Sequence, residues 1–169
     1  MIKIDLFNNK TEVLTIKQQK RLKRKIERAK LPKLGTANYF YPTTGKNCYH
    51  TDGFVIGVNG KSEGGGFTVF LNGKHLVTER GNKKLITNNE TELLGVVEAL
   101  KDAEEGDEII TDSMNTLAWI RSGNPKARPD LKTLASEGKK LLHSKKINLY
   151  WEKRDNNLAG NYNEFVLFY

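Results

Sequence analysis

Cysteine is all but missing. Cys48 stands alone in 169 residues, which leaves no partner for a disulfide and no companions for a thiolate zinc site. No apolar run approaches the roughly 20 residues that a membrane-spanning helix needs, and the opening stretch MIKIDLFNNK has no apolar core of the signal-peptide kind. Internal repeats and low-complexity segments are absent as well. These absences argue against a secreted scaffold, a membrane protein and a solenoid, and the expectation is a soluble, cytoplasmic protein. Nothing in the sequence points to a protein partner. A hydrophobic share of 37% is low for a globular chain but well above the disordered range. At this length it supports one domain with a proper core and some additional chain.

Acidic residues are scarce in one region only. Residues 1–34 carry 11 Lys or Arg against 3 Asp or Glu, whereas the remaining residues carry 17 of each, so the whole net charge of +8 sits at the front. Within this segment Met1–Phe7 alternates like a short strand. Thr15-Ile16-Lys17-Gln18 fits a capping box, and the spacing predicts a helix from Ile16 to Ala29 that stops before Pro32. Its apolar residues Ile16, Leu22, Ile26 and Ala29 form only a narrow stripe, while Lys20, Arg21, Lys23, Arg24, Lys25 and Arg28 wrap the rest. Such a helix packs lightly. It suits the edge of a domain or a phosphate backbone, with Lys20, Arg21 and Arg24 as candidate contacts; the alternative is a solvated helix that aids solubility. Leu34–Asn47, with Gly35, Pro42 and Gly45, reads as a linker. The expected division is a basic extension over 1–47 and a folded domain over 48–169.

From Cys48 the pattern changes. Cys48–Val58 is rich in aromatic and β-branched residues and closes at Asn59-Gly60, as a strand and turn do. Lys61–Gly66 reads as a loop, Phe67–Leu71 as a second strand, Asn72-Gly73 as a two-residue hairpin turn and His75–Glu79 as the returning strand. The period then switches. Leu93, Val96, Val97 and Leu100 recur at helical spacing within Asn89–Ala103, capped by Thr87 or Asn88. A strand at Glu108–Thr111, helices at Met114–Arg121 and Leu131–Leu142, a strand at Ile147–Trp151 and a last helix from Leu158 to Phe165 complete the order. Hairpins first and crossings afterwards imply an α/β fold: a five-stranded mixed sheet, its first three strands antiparallel, flanked by helices.

Three acidic residues lie where a packed core would not place them. Asp52 is inside the first strand of this region, beside Gly53, and both residue types weaken strands. Glu92 sits in the first turns of a helix, and Asp112 follows the fourth strand. Singly, Asp112 could cap a helix and Glu92 could favour a helix N-terminus. Together they can converge at one end of the sheet, where ligands of open sheets gather. Clustered carboxylates need protons or cations, and oxygen ligands suit Mg²⁺ or Mn²⁺.

Four motifs now stand in order: Thr51-Asp52-Gly53 in a strand, Gly64-Gly65-Gly66 before the next, Thr87-Asn88-Asn89 with Glu92-Leu93 opening a helix, and Thr111-Asp112-Ser113 after a strand. They resemble ribonuclease H of type 1, and the resemblance runs from Tyr49 to Glu164. It implies a ribonuclease H-like fold and an endonuclease that hydrolyses the RNA strand of an RNA–DNA hybrid with two Mg²⁺ or Mn²⁺ ions. Asp52, Glu92 and Asp112 would hold the metal, and Gly53, Asn88 and Asn89 match positions that touch the hybrid, where contacts to the 2′-OH tell RNA from DNA.

The chain also departs from that pattern. The family's fourth carboxylate is usually an Asp in Asn-x-x-Ala-Asp, and here Asn156-Asn157-Leu158-Ala159-Gly160 puts Gly160 in the slot. Glu164, one helical turn on, leans back toward the same point and is the first candidate to replace it as a catalytic metal ligand; Asp155 is the second. The loop that carries a histidine in many relatives is Glu152-Lys153-Arg154-Asp155. His50, His75 and His143 are expected in structural or surface roles, His50 with a supporting position on the face of Asp52. Trp119 and Trp151 are expected in the core, and the N-terminal basic segment is expected to grip the substrate. Two other readings stay open: a nucleic-acid-binding module on the same fold with impaired catalysis, and a metal-dependent nuclease of that fold with another substrate.

Overall fold

A computed structural model of the protein describes residues 46–164 together with two short backbone strands near the N-terminus. The chain divides into two compact units, 1–37 and 38–169. In the first, β1 (Ile2–Ile4) pairs antiparallel with β2 (Thr11–Val13), Ile2 opposite Val13. The strand expected in Met1–Phe7 is therefore there, and it has a partner that the sequence pattern did not disclose. The expected helix over Ile16–Ala29, with Lys20, Arg21 and Arg24, lies outside the described residues, as does most of the expected linker.

The second unit follows the expected order. It runs β3 (Cys48–Val58), β4 (Lys61–Leu71), β5 (Lys74–Gly81), α1 (Asn88–Asp102), β6 (Glu108–Thr111), α2 (Met114–Ser122), α3 (Lys132–Ser144), β7 (Asn148–Trp151) and α4 (Leu158–Tyr162). The strands form one mixed sheet in the order β5-β4-β3-β6-β7. The first three are antiparallel neighbours, while β6 runs parallel to β3 and β7 parallel to β6. At the β4–β5 turn both Asn72 (φ 49°) and Gly73 (φ 78°) take positive φ, the backbone of a tight type I′ hairpin.

One boundary differs in a telling way. Lys61–Gly66, expected as a loop, is the first half of β4, and Gly64–Gly66 pair with Ile56–Phe54. Glycine is what the crowding there demands. A Cβ on Gly65 would stand 2.6 Å from the Phe54 carbonyl oxygen, and one on Gly66 would collide with the Glu79 carbonyl.

Alternation along β3 sorts its side chains between two faces. Tyr49, Thr51 and Gly53 face α1, and His50 and Asp52 face α4, whose Leu158 N–H donates to His50 Nδ1 (3.3 Å). His50 thus anchors a helix start beside Asp52. The main core lies under α1, where Leu93, Val96, Val97 and Leu100 bury against Tyr49, Phe67, Val69 and Ile109. Trp119 packs partly buried against this core, as expected. Trp151 does not. It lies on β7, at the sheet edge, 40% exposed, with its indole N–H donating to the Asp112 carbonyl (3.0 Å). Among the described residues no helix is long and apolar enough to cross a membrane.

The C-terminal end of α1 has an uncommon cap. Lys145 Nζ donates to the carbonyls of Leu100 (3.0 Å), Lys101 (2.6 Å) and Ala103 (2.8 Å), so a cation from the α3–β7 connection meets the negative end of the helix. Lys145→Met is expected to lower unfolding stability by about 1–2 kcal/mol through these carbonyls. An unchanged urea midpoint would show that water replaces the lysine without loss.

Candidate active site

The sheet register creates the site. Pairing between β3 and β6 ends with Thr51 opposite Thr111, and the next residue of each strand is an aspartate, so Asp52 and Asp112 emerge side by side. Glu92 comes from α1, whose first turn is fixed by Thr87: the Thr87 hydroxyl accepts from the Glu90 N–H (3.4 Å). What lets this turn approach β3 is Gly53. Its missing Cβ would lie 2.5 Å from the carbonyl carbon and Oγ1 of Thr91 and would run into the Glu92 backbone nitrogen.

Asp52, Glu92 and Asp112 each offer a carboxylate oxygen within 4.8 Å of the others. Asp52 is fully buried and Glu92 is 4% exposed. Burial pushes the Asp52 carboxyl up to about 6, with Arg154 pulling the other way and Asp112 adding to the rise. Glu92 is raised well above the usual carboxylate range, by burial first and then by the charges of Asp52 and Asp112. Its Oε1 accepts from Asn88 Nδ2 (3.3 Å). Its Oε2 is buried with no hydrogen-bond partner, which is costly for a group that binds nothing. An all-oxygen donor set with an orphaned, inward oxygen fits a hard divalent cation such as Mg²⁺ or Mn²⁺.

Three residues that the sequence reading did not assign complete the site. Arg154, from the loop after β7, donates through Nη1 to Asp52 Oδ1 (3.3 Å) and Asp112 Oδ2 (3.2 Å), and through Nη2 to Asp52 Oδ2 (3.2 Å). Asn157 caps α4 and donates to Asp112 Oδ1 (3.1 Å) and the Thr51 carbonyl (2.8 Å). Buried Asn163 donates to Asp52 Oδ2 (2.7 Å) and accepts from the Thr68 hydroxyl (2.6 Å). The only sequence signal for Arg154 was a charged loop where the resemblance places a histidine. Asn163 carried none.

The remaining candidates fall around this centre. Asn88 holds Glu92 and donates its backbone N–H to Asn59 Oδ1 (3.0 Å), and Asn89 Oδ1 accepts from Asn115 (3.4 Å), so both line the start of α1. A Cβ on Gly160 would be 3.7 Å from Asp112 Oδ2, so this position does face the carboxylates. Glu164 is half-buried, and its charge acts on Arg154. Asp155 is exposed. Neither belongs to the group of three carboxylates. His75 stacks on Tyr162 with ring centroids 5.0 Å apart, away from the carboxylates, and His143 is exposed.

Known proteins share this arrangement of chain. The sequence model of the RNase H family matches residues 45–163. The N-terminal RNase H domain of a Mycobacterium tuberculosis protein, solved as a fusion with maltose-binding protein, superposes with a TM-score of 0.55 at 22% identity over 69% of this chain and 91% of that one. RNase H1 from the halophilic archaeon Halobacterium salinarum gives 0.55 at 18% identity, over 69% and 92%. LC11-RNase H1, isolated from compost by a metagenomic approach and solved in complex with an RNA/DNA hybrid, gives 0.52 at 19% identity, over 66% and 88%. With the family's sequence pattern spanning the whole sheet and all three converging carboxylates, this chain belongs to the RNase H family.

Proposed function

We propose that the protein is an endonuclease that hydrolyses the RNA strand of RNA–DNA hybrids with two divalent metal ions, Mg²⁺ or Mn²⁺. The observation that carries this reading is the buried trio Asp52, Glu92 and Asp112 with the unpartnered Glu92 Oε2. The family assignment and the hybrid bound by LC11-RNase H1 support the choice of substrate. When bound, the ions supply an activated water and the charge that stabilises the departing oxygen. The chain's own part is positioning. Asn157 fixes Asp112, Asn163 fixes Asp52 and Asn88 fixes Glu92, so the ligands are held before metal arrives. Glu164 is our candidate for a fourth metal ligand, with Asp155 second. The Gly53 backbone, Asn88 and Asn89 are our candidates for contacts to the hybrid, and Lys20, Arg21 and Arg24 of the basic segment for contacts to its phosphates.

The specific observation behind a second reading, a binding module, is Gly160 in the place of a carboxylate with an arginine already among the remaining acids. Cleavage of a labelled RNA–DNA hybrid in Mg²⁺ or Mn²⁺ separates the two. We expect cutting of the RNA strand alone, falling below detection in Asp52→Asn. Folded protein that binds the hybrid without cutting it would establish the binding module, and cutting of DNA duplexes instead would establish a nuclease with another substrate.

A further inference from the structure

Arg154 is placed unlike any other cation among the described residues. Its guanidinium reaches into the trio, spans Asp52 and Asp112 with three hydrogen bonds of 3.2–3.3 Å, and leaves Glu92 untouched. Two carboxylates that would repel each other in a buried site are thereby bridged by one delocalised charge, which offsets half of theirs. The side chain passes Gly160 at ordinary contact distance: the Arg154 Cγ lies 3.5 Å from where a Cβ of that glycine would stand, and that Cβ would lie 3.7 Å from Asp112 Oδ2. The cation therefore lies beside Asp112 next to the position where the family pattern sets an acid.

We propose that metal binding at this site is an exchange. Arg154 is the resident counter-ion of Asp52 and Asp112 in the metal-free protein, and a divalent cation enters by displacing it and recruiting the orphaned oxygen of Glu92. The inference rests on the metal-site reading above. Its chemistry is competitive: a carboxylate oxygen whose lone pairs face a guanidinium cannot present them fully to a metal, so the arginine weakens metal affinity while it steadies the empty site. The exchange also has room to occur. The Arg154 side chain is 41% exposed and opens a single short 3-10 turn, so the released guanidinium can swing toward water. Arg154 is then a positioning residue of the empty site.

The test uses the full chain and Mn²⁺ binding measured by calorimetry, with no substrate present. Arg154→Gln is expected to bind Mn²⁺ about ten-fold more tightly than wild type, because charge-assisted bonds no longer have to be broken. Arg154→Lys, which keeps a cation on a narrower head group, is expected to stay near wild type. Melting in EDTA should show Arg154→Gln folded but less stable than wild type, and Mn²⁺ should stabilise it by the larger margin. In wild type, the Arg154 side-chain N–H signals in nitrogen NMR should shift as Mg²⁺ is added, an observation that needs no variant. Equal or weaker Mn²⁺ binding by folded Arg154→Gln, or arginine signals indifferent to Mg²⁺, would overturn the exchange. If wild type binds Mn²⁺ and Asp52→Asn does not, that failure would leave the metal site standing. No Mn²⁺ binding by either Arg154→Gln or wild type would overturn both.

Discussion

Gly53→Ala is expected to cost at least about 3 kcal/mol of unfolding stability, more than an extra methyl group usually does, and to remove activity with it. The new Cβ would meet the Thr91 carbonyl carbon and Oγ1 at 2.5 Å and the Glu92 nitrogen closer still. Two of these are backbone atoms in the first turn of α1, so no side-chain rotation relieves the clash. The helix must back away from β3, and Glu92 travels with it. A conformational penalty adds nothing, since Gly53 has no positive φ; the loss is a matter of packing. Gly81→Ala is the fitting control. It adds the same methyl group at the end of β5, where the nearest atom lies 3.9 Å away, and it should leave the urea midpoint almost unchanged. Gly53→Ala with wild-type stability would mean that α1 is seated differently from the arrangement described here.

That glycine illustrates what could and could not be read in the residues. Beside an aspartate inside a strand, Gly53 stood out by its type, and the resemblance made it a hybrid contact. The structure shows that its missing side chain also admits the backbone of α1, and with it Glu92. The element order of the folded unit was legible because its signals are local: Asn-Gly at the two hairpin turns, helical spacing from Leu93 to Leu100, and Ser-Gly-Asn-Pro after α2. Where a strand owes its existence to a neighbour, local signals failed. Lys61–Gly66 has the composition of a loop, and it is held extended by β3 along its length and by β5 from Gly65 on. Trp151 reads as core by its type, yet an edge strand leaves its ring half in solvent.

The candidate site divides along the same line. Asp52 stood out because it is costly inside a strand, and Glu92 and Asp112, each ordinary taken singly, because the order of elements lets them converge with it, before any contact is known. Arg154 and Asn163 are ordinary residues in a charged loop and a final helix. They matter only because the chain returns across β3, bringing them to Asp52 over separations of 102 and 111 residues. No periodicity encodes such a meeting. Asn157 was visible as part of a motif, whereas its grip on Asp112 was not.

Glu92→Gln is expected to raise the stability of the metal-free protein while abolishing hybrid cleavage. Burial and the nearby charges of Asp52 and Asp112 raise the Glu92 carboxyl well above its usual range, and Asp52 shifts in the same direction, to about 6. Both folded-state values lie above those of an unfolded chain, 4.5 for Glu and 3.8 for Asp. Above the unfolded values the native state therefore retains more protons than the unfolded state, and stability must fall as pH rises. The contribution is fully present below about pH 4 and is lost as pH climbs through 6 and beyond. Glutamine has the same shape, keeps the acceptor for Asn88 and never ionises, so its melting curve should depend far less on pH. At alkaline pH we expect Glu92→Gln to melt above wild type in EDTA. Mg²⁺ should reverse the ranking, because it stabilises only the protein that can present all three carboxylates. Melting of both proteins from acid to alkaline pH, with EDTA and with Mg²⁺, reads all of this at once. A wild-type melting temperature that rises with pH in EDTA would show that the trio is ionised and neutralised without metal. Arg154 would then be doing alone what a divalent ion is proposed to do here.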